Sequence, residues 1–230
     1  MPIRFIAVLV LSLTSIVTFA DRYKQFTYEV TITNLTRGQT FTPQLVVTHN
    51  RSVALFELGQ PATNELEILA EGGDTQPLSD LLSSLGKRTI GDVQTIAGLL
   101  EPGESISTRI KANPYRHSVI SMAAMLIPTN DTFVALDSLH LPLRGTRTRL
   151  LKAYDAGTEL NDQNCANMPG PRCGGEGVSQ GPNEGDEGYV YIGNGFHSLG
   201  SEDGLGNEIL APLVYDWRNP VAKITVQRVR

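Results

Sequence analysis

Cysteine, tryptophan and histidine are scarce in this sequence: two, one and four residues respectively among 230. Two cysteines with no histidine nearby fall short of tetrahedral zinc ligation. The histidines (His49, His117, His140 and His197) stand singly, and no G-x-S-x-G elbow, H-E-x-x-H helix or P-loop occurs. The sequence therefore singles out no catalytic constellation. Basic charge is also short: 19 Lys and Arg face 24 Asp and Glu, for a net charge of -5. That balance argues against nucleic acid as a partner and against electrostatic docking on anionic lipid.

Long apolar runs are missing beyond residue 20. Arg4 supplies a positive start, Phe5 to Val17 is a short apolar run broken only by Ser and Thr, and Thr18-Phe-Ala20 fits a small-residue cleavage site. This reads as a signal peptide over residues 1–20, with Asp21 opening the exported chain. The expected location is secreted or periplasmic, with no integral membrane segment after cleavage. In an exported protein the two cysteines, Cys165 and Cys173, read as a local disulfide, two free thiols on a loop being the alternative.

What is present is mostly β pattern. Gln25 to Asn34 alternates Phe26, Tyr28, Val30 and Ile32 with polar residues, as a half-buried strand does. Strand-like runs recur at Leu45–His49, Ser105–Ala112, Val119–Ile127, Thr132–Leu136, Tyr189–Gly193 and Val221–Val229, with turn signals such as Pro102-Gly103 and Asn113-Pro114 between them. Two segments read as short helices instead. Asn64 to Gly72 has Thr63 or Asn64 as its cap; the next runs from Asp74 as cap, through Pro77, to Gly86. From Asn161 to Gly188 the composition shifts to Gly, Asn, Pro and Glu, which marks a long loop. Its first half is expected to be stapled by the cysteines and Gly174–Gly188 to be mobile. Residues 21–230 read as a single domain.

Asp131, Asp137 and Asp155 sit beside turn residues at the ends of strand-like runs, a plausible supply of oxygen ligands for a hard cation. Asp131 and Asp137 share a strand face, but six residues of extended chain separate them by about 20 Å. Asp155 is thus the better companion for Asp131. The plain alternative is that each aspartate bonds its own turn backbone. The run Asp155 to Asp162 lacks the residue order of an EF-hand loop. Trp217, the only tryptophan, is expected to pack at the sandwich edge, with carbohydrate stacking as the alternative.

The segments Tyr28-Glu-Val-Thr-Ile-Thr-Asn-Leu-Thr36, Leu55-Phe-Glu-Leu-Gly59, Leu69-Ala-Glu-Gly-Gly-Asp74, Ser121 to Asp131, Val134-Ala-Leu-Asp-Ser138 and Tyr154-Asp-Ala-Gly-Thr-Glu159 carry a resemblance. In that order they resemble spondin domains of the secreted bacterial type. The resemblance implies an all-β, C2-like antiparallel β-sandwich, here with one or two short inserted helices, that binds Ca2+ at one end. The implied ligands are the Asp131 carboxylate, the Leu151 carbonyl and the Asp155 carboxylate. Thr132 stands where an aromatic residue often follows the first of these. The leading expectation is a secreted, calcium-binding, non-catalytic adhesion or interaction module, with an unknown extracellular protein or glycan as its partner. Its alternatives are an exported hydrolase acting on a glycan or ester through a carboxylate pair, and a structural envelope protein with a stabilising metal.

Overall fold

The structure is a computed structural model that describes residues 24–179, 186–193, 195–196, 200–202, 205 and 207–229. The expected signal peptide and His197 lie outside the described residues. Among the described residues ten strands follow in chain order: β1 Phe26–Asn34, β2 Thr40–Phe41, β3 Gln44–His49, β4 Ile90–Ile96, β5 Ser105–Ala112, β6 Val119–Ile127, β7 Thr132–His140, β8 Thr146–Asp155, β9 Tyr191–Ile192 and β10 Ala222–Arg228. Helices α1 (Asn64–Gly72) and α2 (Gln76–Ser84) fall between β3 and β4, and the short α3 (Pro212–Tyr215) precedes β10.

All pairings are antiparallel, in the order β4-β3-β6-β7-β8-β10-β1-β5, with β2 on β6 and β9 on β8. Strand β8 joins the two halves of the sandwich. Its residues up to Leu151 pair with β10, and from Lys152 onward it pairs with β7. The opposite side nearly closes into a barrel. There the Lys111 N–H donates to Asp92 Oδ2 at 2.9 Å and Thr48 Oγ1 donates to the Lys111 carbonyl at 2.7 Å.

The expected all-β sandwich is what the chain forms, and two apolar layers explain its sequence pattern. Between the sheets lie Tyr28, Val30 and Ile32 of β1, Met122 and Ala124 of β6, and Ile224 and Val226 of β10. Outside the β3-β6-β7 face, Leu66, Leu69, Leu78 and Leu82 of the helices cover Leu45, Val47, Ala123 and Phe133. Every residue of β6 is therefore buried, and its sequence is an apolar run broken only by Ser121 rather than an alternation. β1 is covered on one face only and alternates.

The helix ends follow local chemistry, with one correction. Thr63 caps α1, its side chain accepting the Leu66 N–H, and Gly73 ends the helix in the left-handed region at φ 69°. The N-cap position of α2 is Thr75 rather than Asp74, but Thr75 makes no side-chain capping bond. The side-chain oxygen at this helix end comes from Asp74, which accepts the Gln76 N–H at 2.8 Å. The run expected at Tyr189–Gly193 is a strand only at Tyr191–Ile192.

The long loop is tied down wherever it is described. Cys165 and Cys173 form a disulfide. The Gly175 and Glu176 N–H groups donate to the Met168 and Ala166 carbonyls, both at 2.8 Å. Residues 180–185 of the segment expected to be mobile lie outside the described residues.

Candidate functional site

The β6–β7 turn and the end of β8 meet at one end of the sandwich. Asp155 pairs with Thr132, and the Ala156 N–H donates to the Asp131 carbonyl at 3.2 Å. The two aspartates are therefore close neighbours in the fold. Asp131 is 0% and Asp155 3% exposed.

Asp131 does not simply bond its own turn. Its Oδ2 accepts the Thr158 N–H at 2.7 Å, the Glu159 N–H at 3.1 Å and the Thr158 hydroxyl at 3.3 Å, drawing in the loop after β8. Its Oδ1 is buried without a hydrogen-bond partner among the described residues. Asp155 does make the local turn, Oδ1 accepting the Gly157 N–H at 3.0 Å, while Oδ2 accepts from the Asn161 amide at 2.9 Å. Gly157 is required in this loop. It sits at φ +68°, and a Cβ there would lie 2.3 Å from the Tyr189 carbonyl oxygen.

Burial pushes the Asp131 carboxyl well above the usual carboxylate range, and the neighbouring Asp155 and Glu159 charges push it further; the Thr158 and Glu159 N–H groups only partly offset this. Asp155 is also raised, first by burial, with the Asn161 and Gly157 bonds opposing and the Glu187 charge adding. Glu159 is pushed up to about 8 by burial and by the charges of Glu71, Asp162, Asp186 and Glu176. The site is a buried concentration of negative charge, which costs folding energy unless a proton or a cation offsets it.

Backbone pairing makes Asp131 and Asp155 neighbours, while Asp137 and Leu151 lie farther along their strands. Asp137 lies toward the far end of β7, its Oδ1 accepting the Leu55 N–H at 3.2 Å and the Ser121 hydroxyl at 3.3 Å. Leu151 precedes Asp155 by four residues of regular strand, about 13 Å along the chain. Its carbonyl oxygen accepts the Val221 N–H at 2.9 Å. Among the described residues, no three His, Cys, Asp or Glu side chains are grouped to hold a metal ion. An ion here would rest on a pair of carboxylates, with water or partner oxygens completing its shell.

Asp155 also lines a pocket of about 230 Å³, together with Asn161, Glu187, Tyr191, Phe196 and Trp217. Trp217 packs as expected: it belongs to the core between the sheets, with Phe196 edge-on at 5.5 Å. Tyr191 accepts from the Asn161 amide at 3.0 Å and donates to Glu187 at 3.2 Å.

The spondin N-terminal domain model matches residues 16–164, a span holding Asp131, Leu151, Asp155 and Glu159. The chain belongs to the spondin N-terminal domain family. This family membership marks it as an extracellular interaction module. No curated protein matches it. The Cys165–Cys173 disulfide falls outside the matched span of the spondin domain. No helix among the described residues is long and apolar enough to cross a membrane.

Reading residues in isolation missed Glu71, Glu159, Asn161, Glu187 and Tyr191 as parts of this region. Glu71 and Glu159 lie within segments that carry the family resemblance, which is the signal that could have found them.

Proposed function

We propose that this spondin domain is a secreted, non-catalytic adhesion or interaction module whose loop end is set by Ca2+. The observation that carries this reading is the buried Asp131–Asp155 pair, with Asp131 Oδ1 lacking any donor among the described residues. The donor set fits a hard cation, which takes oxygen ligands and gains most from ionised carboxylates. The Asp131 and Asp155 carboxylates would hold it, and it would supply the positive charge that this buried pair lacks. The Leu151 carbonyl, a third ligand by resemblance, is bonded in the β8–β10 ladder here, so its part in the shell would require that bond to be shared.

The chain's own residues do the rest. Thr158 and Glu159 amides fix Asp131, and Asn161 and Gly157 fix Asp155, so both carboxylates are oriented before any ligand arrives. Extracellular calcium sites of this kind are commonly weak and suited to high ambient calcium. A partner protein or glycan would meet the loops at this end of the sandwich.

The non-catalytic reading is supported by how the pocket's carboxylates are held. Asp155 has both oxygens engaged, and Glu187 accepts from the Tyr191 hydroxyl. Thermal unfolding in calcium and in chelator tests the proposal. Calcium must raise the midpoint of the wild type, because it binds the native state, and must raise that of Asp155→Ala far less. Equal midpoints with and without calcium in the wild type would sink it.

A further inference from the structure

Two more buried carboxylates lie in this region, the Glu159 charge acting on Asp131 and the Glu71 charge on Glu159. Glu159 is on the loop whose amides hold Asp131, and Glu71 lies in the last turn of α1. Glu71 is 1% and Glu159 7% exposed. Glu71 Oε2 accepts the Ser179 N–H at 2.8 Å, but among the described residues its Oε1 has no hydrogen-bond partner, and Glu159 Oε2 has none either. Each of the two residues therefore has a buried acceptor oxygen with no donor among the described residues.

The charges do not balance internally. Glu159 feels Glu71, Asp162, Asp186 and Glu176, while Glu71 is held by Ser179 and by the Thr158 side chain next to Glu159 and feels Glu67. A single divalent ion at Asp131–Asp155 would offset two negative charges and leave Glu71 and Glu159 uncompensated. A buried, unpaired charge is expensive, so each of these carboxylates either holds a proton or binds a cation. A ligand set made of carboxylate oxygens selects a hard cation.

We propose that Glu71 and Glu159 form a second site for a hard divalent cation, calcium in an extracellular setting, at the junction of α1 with residues 157–159 and 177–179. The backbone packs closely there. A Cβ added at Gly72 would lie 2.8 Å from the Gly177 carbonyl oxygen, so the end of α1 and the Gly177–Ser179 segment touch without an intervening side chain. An ion bridging Glu71 and Glu159 would clamp the helix, the loop after β8 and the glycine-rich segment to one another. The site does not depend on the Asp131–Asp155 reading, because it uses different carboxylates.

Equilibrium dialysis with radioactive calcium counts the ions bound to the metal-free protein. Two ions per chain are expected for the wild type, one for Glu71→Gln/Glu159→Gln and one for Asp131→Asn/Asp155→Asn. Glutamine keeps the shape of glutamate and removes the repulsion, so the first variant should fold. Independently, Mn2+ added to the wild type should broaden the backbone amide signal of Ser179, whose N–H points at Glu71. The proposal is overturned if Glu71→Gln/Glu159→Gln binds as many ions as the wild type, or if Ser179 stays sharp. The first of those results with Asp131→Asn/Asp155→Asn binding none would leave the reading of that pair intact. Conversely, an ion lost only with Glu71→Gln/Glu159→Gln would support the second site and remove the first.

Discussion

Asp131 and Asp155 meet across the β7–β8 ladder, one residue out of register: Asp155 pairs with Thr132, while the Ala156 N–H donates to the Asp131 carbonyl. Two carboxylates that repel each other are thus held close by backbone pairing, and each is fixed by loop amides. The charge is concentrated by the fold, and its consequences can be measured.

The metal-free protein should lose stability as pH rises above neutrality. Glu159 has its folded value raised to about 8 from 4.5, so its stabilising contribution is full below about 4.5 and is lost as pH rises through 8. The buried His49 and His117 are shifted down, mainly by burial, so their contribution is present above 6.5 and is lost as pH falls. Between pH 6.5 and 8.5 the carboxyl effect therefore acts largely alone. Urea unfolding in chelator should show a falling midpoint over that window, and millimolar calcium should flatten it. A midpoint that rises in chelator would contradict the charge assignment.

Much of this fold is legible in the sequence, and the parts that are not have a common cause. β1 is readable because one face is covered, and β6 because both are. β8 has no such signal. Thr146 to Leu150 are all exposed, so the strand that joins the two halves of the sandwich reads as polar loop. The same holds for the site. Asp131 and Asp155 announce themselves by their turns, whereas Glu71 and Glu159 look like ordinary surface glutamates. They become buried only when α1, the loop after β8 and the glycine-rich segment pack together, which is a tertiary fact with no local periodicity.

Gly157→Ala should disturb the site from a distance. An alanine in the left-handed region costs about 1–2 kcal/mol, before the contact with the Tyr189 carbonyl is counted. Because the Thr158 and Glu159 amides that hold Asp131 follow directly, calcium affinity should fall along with the denaturant midpoint. Calcium titration and urea unfolding of the same variant check this; unchanged affinity would show that the loop does not position Asp131.

Asn161→Ala removes the donor shared by Asp155 and Tyr191. The expected cost is about 1–3 kcal/mol in chelator. The Asp155 carboxyl should also titrate at higher pH than in the wild type, because the bond that favours its ionised form is gone. Carbon NMR of the aspartate carboxyls follows it directly. A titration that does not move would mean that Asn161 is a bystander.

The central claim is that a cation belongs beside Asp131 and Asp155, and crystals grown in calcium test it most directly through an anomalous difference map. The account predicts a peak within bonding distance of Asp131 Oδ1 and an Asp155 carboxylate oxygen. A map featureless at that point, with both carboxylates still holding only the loop amides, would contradict it.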